Sequence, residues 1–210
     1  MRIIEVRSAH SRGTWATRST PRAHNAYMNT YIALFRGINV GGSHLLPMKE
    51  LKLVLEMSGC VDVQTYIQSG NAIFRSSMSD ADRIARRLTA AVSKSHGFEP
   101  RVLVLTRGEL ESAAAGNPFP EASENPKSLH LFFLAGRPKQ PDLKSIDALK
   151  AKTERFALKS RTFYLHTPAG FGTSKLAARA ERLLGVEATA RNWRTVTALL
   201  EMVKAAPGRL

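Results

Sequence analysis

Twice along this chain a short apolar run of strand length opens the order strand, helix, hairpin, helix, strand, and that doubled order constrains the fold more than any single motif. The first unit begins at Tyr31–Phe35 (YIALF), a continuous apolar run of buried-strand length. The glycine-rich stretch RGINVGGSHLL follows as a loop, and Pro47 stands at the first turn of a helix whose stripe runs through Leu51, Val54 and Leu55 to a stop at Gly59. Val61–Gln68 alternates as a strand, Ser69–Gly70 turns the chain, and Asn71–Arg75 returns as a second strand. Ser79 and Asp80 are caps for a helix carrying Ile84, Leu88, Ala91 and Val92 as far as Gly97, and Val102–Thr106 closes the unit as a buried strand. This βαββαβ order is the split βαβ unit of a ferredoxin-like sandwich.

Residues 107–127 read as a linker, with a short helix over Arg107–Ala115 and the proline-rich stretch GNPFPEASENP. The order then restarts. Leu129–Ala135 is a strand, Asp142–Lys150 a helix, and Glu154–Ser160 with Thr162–His166 a hairpin. Lys175–Leu184 is a helix stopped by Gly185, Val186–Ala190 is extended, and a last helix runs from Asn192 to Lys204. The expected fold class is α+β, two ferredoxin-like βαββαβ halves with an extra C-terminal helix. The first half spans residues 28–106 and the second, with the extra helix, residues 128–210. The duplication rests on element order alone, because no residue-level repeat relates the halves. Residues 1–27 are rich in Arg and Ser and lack the apolar core of a secretory signal. They read as a disordered or untranslated extension upstream of a true start at Met28; the alternative is a basic arm that binds nucleic acid.

Charge is the outlying property of the composition, at +14 with a pI near 10.5. Residues 31–126 carry ten basic and ten acidic side chains, whereas residues 127–210 carry sixteen basic and six acidic ones. A basic surface attracts phosphates, nucleic acid or acidic partners within about a Debye length; the plainer role of such charge is solubility. No apolar run reaches the roughly 18 residues of a membrane span. The single cysteine, Cys60, excludes an internal disulfide and a Cys/His zinc framework, and points to a reducing, cytoplasmic setting. No cofactor fingerprint is present: neither GxxxxGK[ST] nor GxGxxG is matched.

Four segments carry candidate binding residues. Arg36, Gly37, Asn39, Gly41 and Gly42 lie between a buried strand and a helix N-terminus, where backbone N–H groups favour an anion; a tight connection needing positive φ explains the same glycines. Gln68, Ser69 and Asn71 belong to a polar hairpin turn that needs only part of that polarity. In GFGTSK, Lys175 with two hydroxyls fits a phosphate, and capping by Thr173 or Ser174 fits equally. Arg191, Asn192 and Trp193, followed by Arg194, form a polar-aromatic group suited to stacking on a base or to packing the halves together. Among the histidines His44, His96, His130 and His166, only His44 lies in a candidate loop. No GxSxG elbow or carboxylate pair marks a catalytic centre, so catalytic residues stay unassigned.

The strings YIALFRGINVGG, PMKEL and YIQSGNAIFRS, with NPFP and TARNWRTV further on, resemble the bacterial domain-of-unknown-function family 1697 over about residues 31–203. The resemblance implies an α+β fold of two ferredoxin-like halves, a start near Met28 and no assigned activity. It marks the segments holding Arg36, Gly37, Asn39, Gly41, Gly42, Gln68, Ser69, Asn71, Arg191, Asn192 and Trp193 as those that define the family. Ser43-His44-Leu45 departs from the family's basic or polar residues before the proline, which weakens a role for His44. Three functions stay open: a binding module for a phosphate-bearing ligand, nucleotide or nucleic acid; an enzyme of unknown class with a polar Arg/Asn/Ser site; and a protein-interaction or structural role. No membrane partner is expected, and nothing in the sequence fixes an oligomeric state.

Overall fold

A computed structural model describes residues 28–206; the expectations about residues 1–27 lie outside them. Strand β1 (Asn29–Arg36) explains why its sequence is apolar without alternation. Tyr31, Ala33 and Phe35 face one core while Ile32 and Leu34 face another, because successive strand side chains point to opposite sides. Helix α1 (Met48–Met57), strands β2 (Val61–Tyr66) and β3 (Asn71–Ser76), helix α2 (Ala81–His96) and strand β4 (Arg101–Thr106) complete the first half. Its antiparallel sheet has the order β2-β3-β1-β4, with α1 and α2 on the outer face. Helix α3 (Arg107–Ala115) and one 3-10 turn (Pro120–Ser123) lead to the second half.

There β5 (Leu129–Leu134), α4 (Leu143–Leu149), β6 (Arg155–Lys159), β7 (Thr162–His166), α5 (Lys175–Leu184) and β8 (Ala188–Asn192) repeat the topology, with sheet order β6-β7-β5-β8. Helix α6 (Trp193–Ala205) follows as the extra helix. The two ferredoxin-like halves thus stand as the element order implied.

The inner faces of the two sheets turn toward a shared centre. Ile32, Leu34, Ile73, Leu103 and Leu105 come from the first sheet, and Leu129, Leu131, Phe133 and Tyr164 from the second. Helix α6 adds Val196, Leu199 and Val203 to this core. The connecting segment 107–127 adds Leu110, Ala113, Phe119 and Ala122, so its apolar side chains pack into the core that joins the halves. The outer face of the second sheet is covered by α4 and α5 through Ile146, Leu176, Ala180 and Leu184.

Local chemistry sets the helix ends. Asp80 accepts from Arg83 N at 3.0 Å to start α2, which stops at Gly97 with φ 74°. Thr106 and Glu109 form a reciprocal capping box on α3. Two expected boundaries are corrected. Strand β2 ends at Tyr66 rather than Gln68, because Ile67 takes φ 48° and residues 67–70 make the turn. Strand β8 occupies Ala188–Asn192 rather than Val186–Ala190, since its register pairs Ala188 with Leu134 and Asn192 with His130.

Candidate functional site

The turn after β2 and the end of β8 meet in one hydrogen-bonded cluster at the junction of the halves. The Arg191 guanidinium donates through Nε to Asn71 Oδ1 and through its terminal nitrogens to Phe35 O at 2.7 Å, Ser69 O at 3.2 Å and Ala190 O at 2.8 Å. Asn71 is fully buried, and its amide donates to Tyr66 O and Ser69 Oγ. Beside it, Arg36 donates to Ala188 O at 2.9 Å and pairs with Glu181 of α5, which also takes Arg101 at 3.1 Å. Arg191, Asn71, Ser69 and Arg36 therefore tie β1 and β3 to β8 and α5. No carboxylate pairs with Arg191 among the described residues, and burial lowers its guanidinium to a pKa of about 10.

The glycine loop is organised from within. The Asn39 amide donates to Leu46 O at 2.9 Å and Gln68 O at 3.0 Å, and its oxygen accepts from Leu46 N at 2.7 Å. The loop is thereby fastened to the neighbouring turn, while Gly37, Gly41 and Gly42 take positive φ in open space. Gly70 has a stricter reason to be glycine: a Cβ there would lie 2.6 Å from Ile38 Cδ1 and 2.7 Å from Phe35 Cβ. His44 lies outside the cluster, bonded to Gly37 O at 3.1 Å and stacked on Phe98. Gln68 is exposed at the turn. Asn192 accepts from Thr195 N at 2.9 Å and caps α6, and Trp193 packs partly buried against the shared core. Lys175 stands apart, exposed at the start of α5, where Ser174 supplies the cap by accepting from Ala177 N at 3.0 Å.

A serine–histidine pair, unmarked in the sequence, lies under the connecting segment. His166 Nε2 is 3.1 Å from Ser128 Oγ, its Nδ1 is 3.2 Å from Arg155, and its ring stacks on Phe119. An arginine can only donate, so Nδ1 accepts and Nε2 carries the proton. Ser128 Oγ therefore accepts from the imidazole and donates to Asn125 O at 2.7 Å. The proton order is opposite to that of a base activating a nucleophile. Burial, then the Arg155 charge, holds His166 below the usual histidine range.

Other cations without carboxylate partners among the described residues lie exposed on the surface. Lys175, Arg179 and Arg182 recur at i, i+4 and i+7 on the exposed face of α5, and none makes an ion pair among the described residues. Arg137 and Lys139 sit against the C-terminal end of the same helix, next to Leu184 and Gly185. Helical spacing is the signal in the sequence that marks this stripe; the motif at Lys175 alone does not point to Arg179 and Arg182.

Among the described residues no helix is long and apolar enough to cross a membrane, and no cluster of His, Cys, Asp or Glu could hold a metal ion. The sequence model of a family described as "Protein of unknown function (DUF1697)" matches residues 28–164. Among solved structures, a conserved bacterial protein of Streptococcus pneumoniae superimposes with a TM-score of 0.67 at 23% identity, covering 84% of this chain and 99% of that one. At that identity the likeness concerns the fold. No curated protein matches the chain.

Proposed function

We propose, from the premise that the chain belongs to the DUF1697 family of proteins of unknown function, that it is a binding module for nucleic acid, engaging phosphates through the outer helix of its second half. The observation that carries this reading is the stripe Lys175, Arg179 and Arg182, exposed along α5 with no ion pair among the described residues. Seven residues of helix rise by about 10 Å, so the stripe can meet more than one phosphate of a strand. Arg137 and Lys139 continue the positive surface at the end of the helix.

The mode of recognition follows from what the fold leaves free. Each sheet is covered on its outer face by helices and turned inward on the other, so no sheet face is open to stack bases. Trp193 is committed to the central core. Recognition by cations alone positions a polyanion without reading its sequence, so binding is expected to be sequence-tolerant and steeply salt-dependent.

Fluorescence anisotropy of a labelled duplex, titrated across salt concentrations, tests the reading. The unmodified protein should bind with a strongly negative log–log salt slope. The triple variant Lys175→Ala, Arg179→Ala, Arg182→Ala should flatten that slope by about 2 to 3, near 0.9 for each phosphate no longer neutralised. An unchanged slope in a normally folded triple variant removes α5 from the interface. No binding at low salt removes the function.

A further inference from the structure

A cleft lies between α3 and the tip of the β6–β7 hairpin, with a volume of about 600 Å³. Its floor is apolar, formed by the inward-facing Leu105 of β4 and Phe133 of β5. Along α3 and its C-cap, Gly108, Ser112 and Gly116 recur every four residues and line one wall, with Glu109 beside them turned to Arg161. The last of these has a structural cause: a Cβ on Gly116 would come within 2.8 Å of the Tyr164 hydroxyl, which donates to Ala113 O at 2.7 Å.

Charge at the rim is unbalanced in one direction. Arg161 spends its guanidinium on Leu134 O, Ala135 O and Glu109, whose carboxylate neutralises it at 2.9 Å. Lys159 has no carboxylate partner among the described residues, and its ammonium makes one hydrogen bond, to Gly116 O at 2.8 Å. Two of its N–H groups remain for a ligand. An apolar floor, a wall kept low by small residues and one net positive charge at the mouth form a concave site at the junction of two halves, where ligand sites concentrate.

We propose that this cleft binds a small organic monoanion with an apolar body, its carboxylate or sulfonate held by Lys159 and its body laid over Leu105 and Phe133. The site is separate from the α5 stripe and stands whether or not the chain binds nucleic acid.

The test uses the full chain and 1-anilinonaphthalene-8-sulfonate as the probe, followed by fluorescence under native conditions. Saturable binding near one probe per chain is expected, with displacement by octanoate and not by octylamine. Lys159→Met removes the charge and keeps the stem, and Ser112→Leu fills the wall; both positions are exposed, so folding should persist with a melting temperature near that of the unmodified protein. Each variant should bind the probe at least tenfold more weakly, whereas the α5 triple variant should bind as before. Non-saturable binding, equal displacement by octylamine, or affinity within twofold in both cleft variants would overturn the assignment. Loss of binding only in the α5 triple variant would overturn it too, because the probe would then be reporting the basic helix face.

Discussion

At Arg191, the charge has no acid to meet and is held by carbonyl oxygens and one amide. Charge-assisted bonds of this kind offset the desolvation that burial imposes. A lysine has one nitrogen and cannot reach the same set of acceptors. Arg191→Lys should therefore destabilise the protein by about 2 to 3 kcal/mol, the cost of leaving buried acceptors unpaired, read as a lower urea midpoint at constant slope. A loss below about 0.5 kcal/mol would mean that the clamp is incidental to stability. His130 makes a different prediction. Burial pushes its imidazole down to a pKa of about 4, the ring stacks on Phe171 at 3.7 Å, and Nδ1 has no hydrogen-bond partner among the described residues. The folded state holds it neutral while the unfolded chain protonates it near pH 6.5. Its contribution is thus complete above pH 6.5, declines as pH falls toward 4, and is gone below that. A shift of this size corresponds to on the order of 3 kcal/mol, and His166 acts with the same sign. Melting temperatures at pH 7.5 and 4.5 should converge in a His130→Phe variant; an unchanged gap would place the acid sensitivity elsewhere.

Among the elements, those with strong local punctuation were legible in the sequence. Helix α5 is bounded by Ser174 and Gly185, and α2 by Asp80 and Gly97, because capping and left-handed stops are decided by a few neighbouring residues. Ser174→Ala should cost about 1 kcal/mol in a denaturant titration; no change would mean that α5 is held by packing alone. The start of β8 was displaced because its extent depends on pairing with β5, and that partner lies more than fifty residues away. The motif at Gly70 was readable as a turn, but not its reason. The close approach of Phe35 and Ile38 exists only once two loops have folded against each other. Gly70→Ala combines that clash with a φ of 72° and should lower stability by more than 2 kcal/mol, well beyond an ordinary surface substitution. The Ser128–His166–Arg155 arrangement left no trace in spacing, since its members come from three segments joined only by tertiary structure. The α5 stripe, by contrast, was available from periodicity.

For the molecule as a whole, the shared core predicts that the halves do not fold independently. Ile32, Leu34, Leu103 and Leu105 would face water in a fragment of residues 28–106, whose inner sheet face would lose its cover. Far-ultraviolet circular dichroism and tryptophan fluorescence should therefore report one coincident unfolding transition in the full chain, and the 28–106 fragment should be loosely packed or aggregated. Separate transitions would show that each sheet is stable with its outer helices alone. Helix α6 adds a consequence in time. Val196, Leu199 and Val203 enter a core whose other members all precede them in the chain. A nascent polypeptide can pair each sheet and seat its outer helices, yet it holds an open hydrophobic seam until α6 has left the ribosome. A premature stop just before Trp193 would leave that seam open in the finished chain and cost more than one helix.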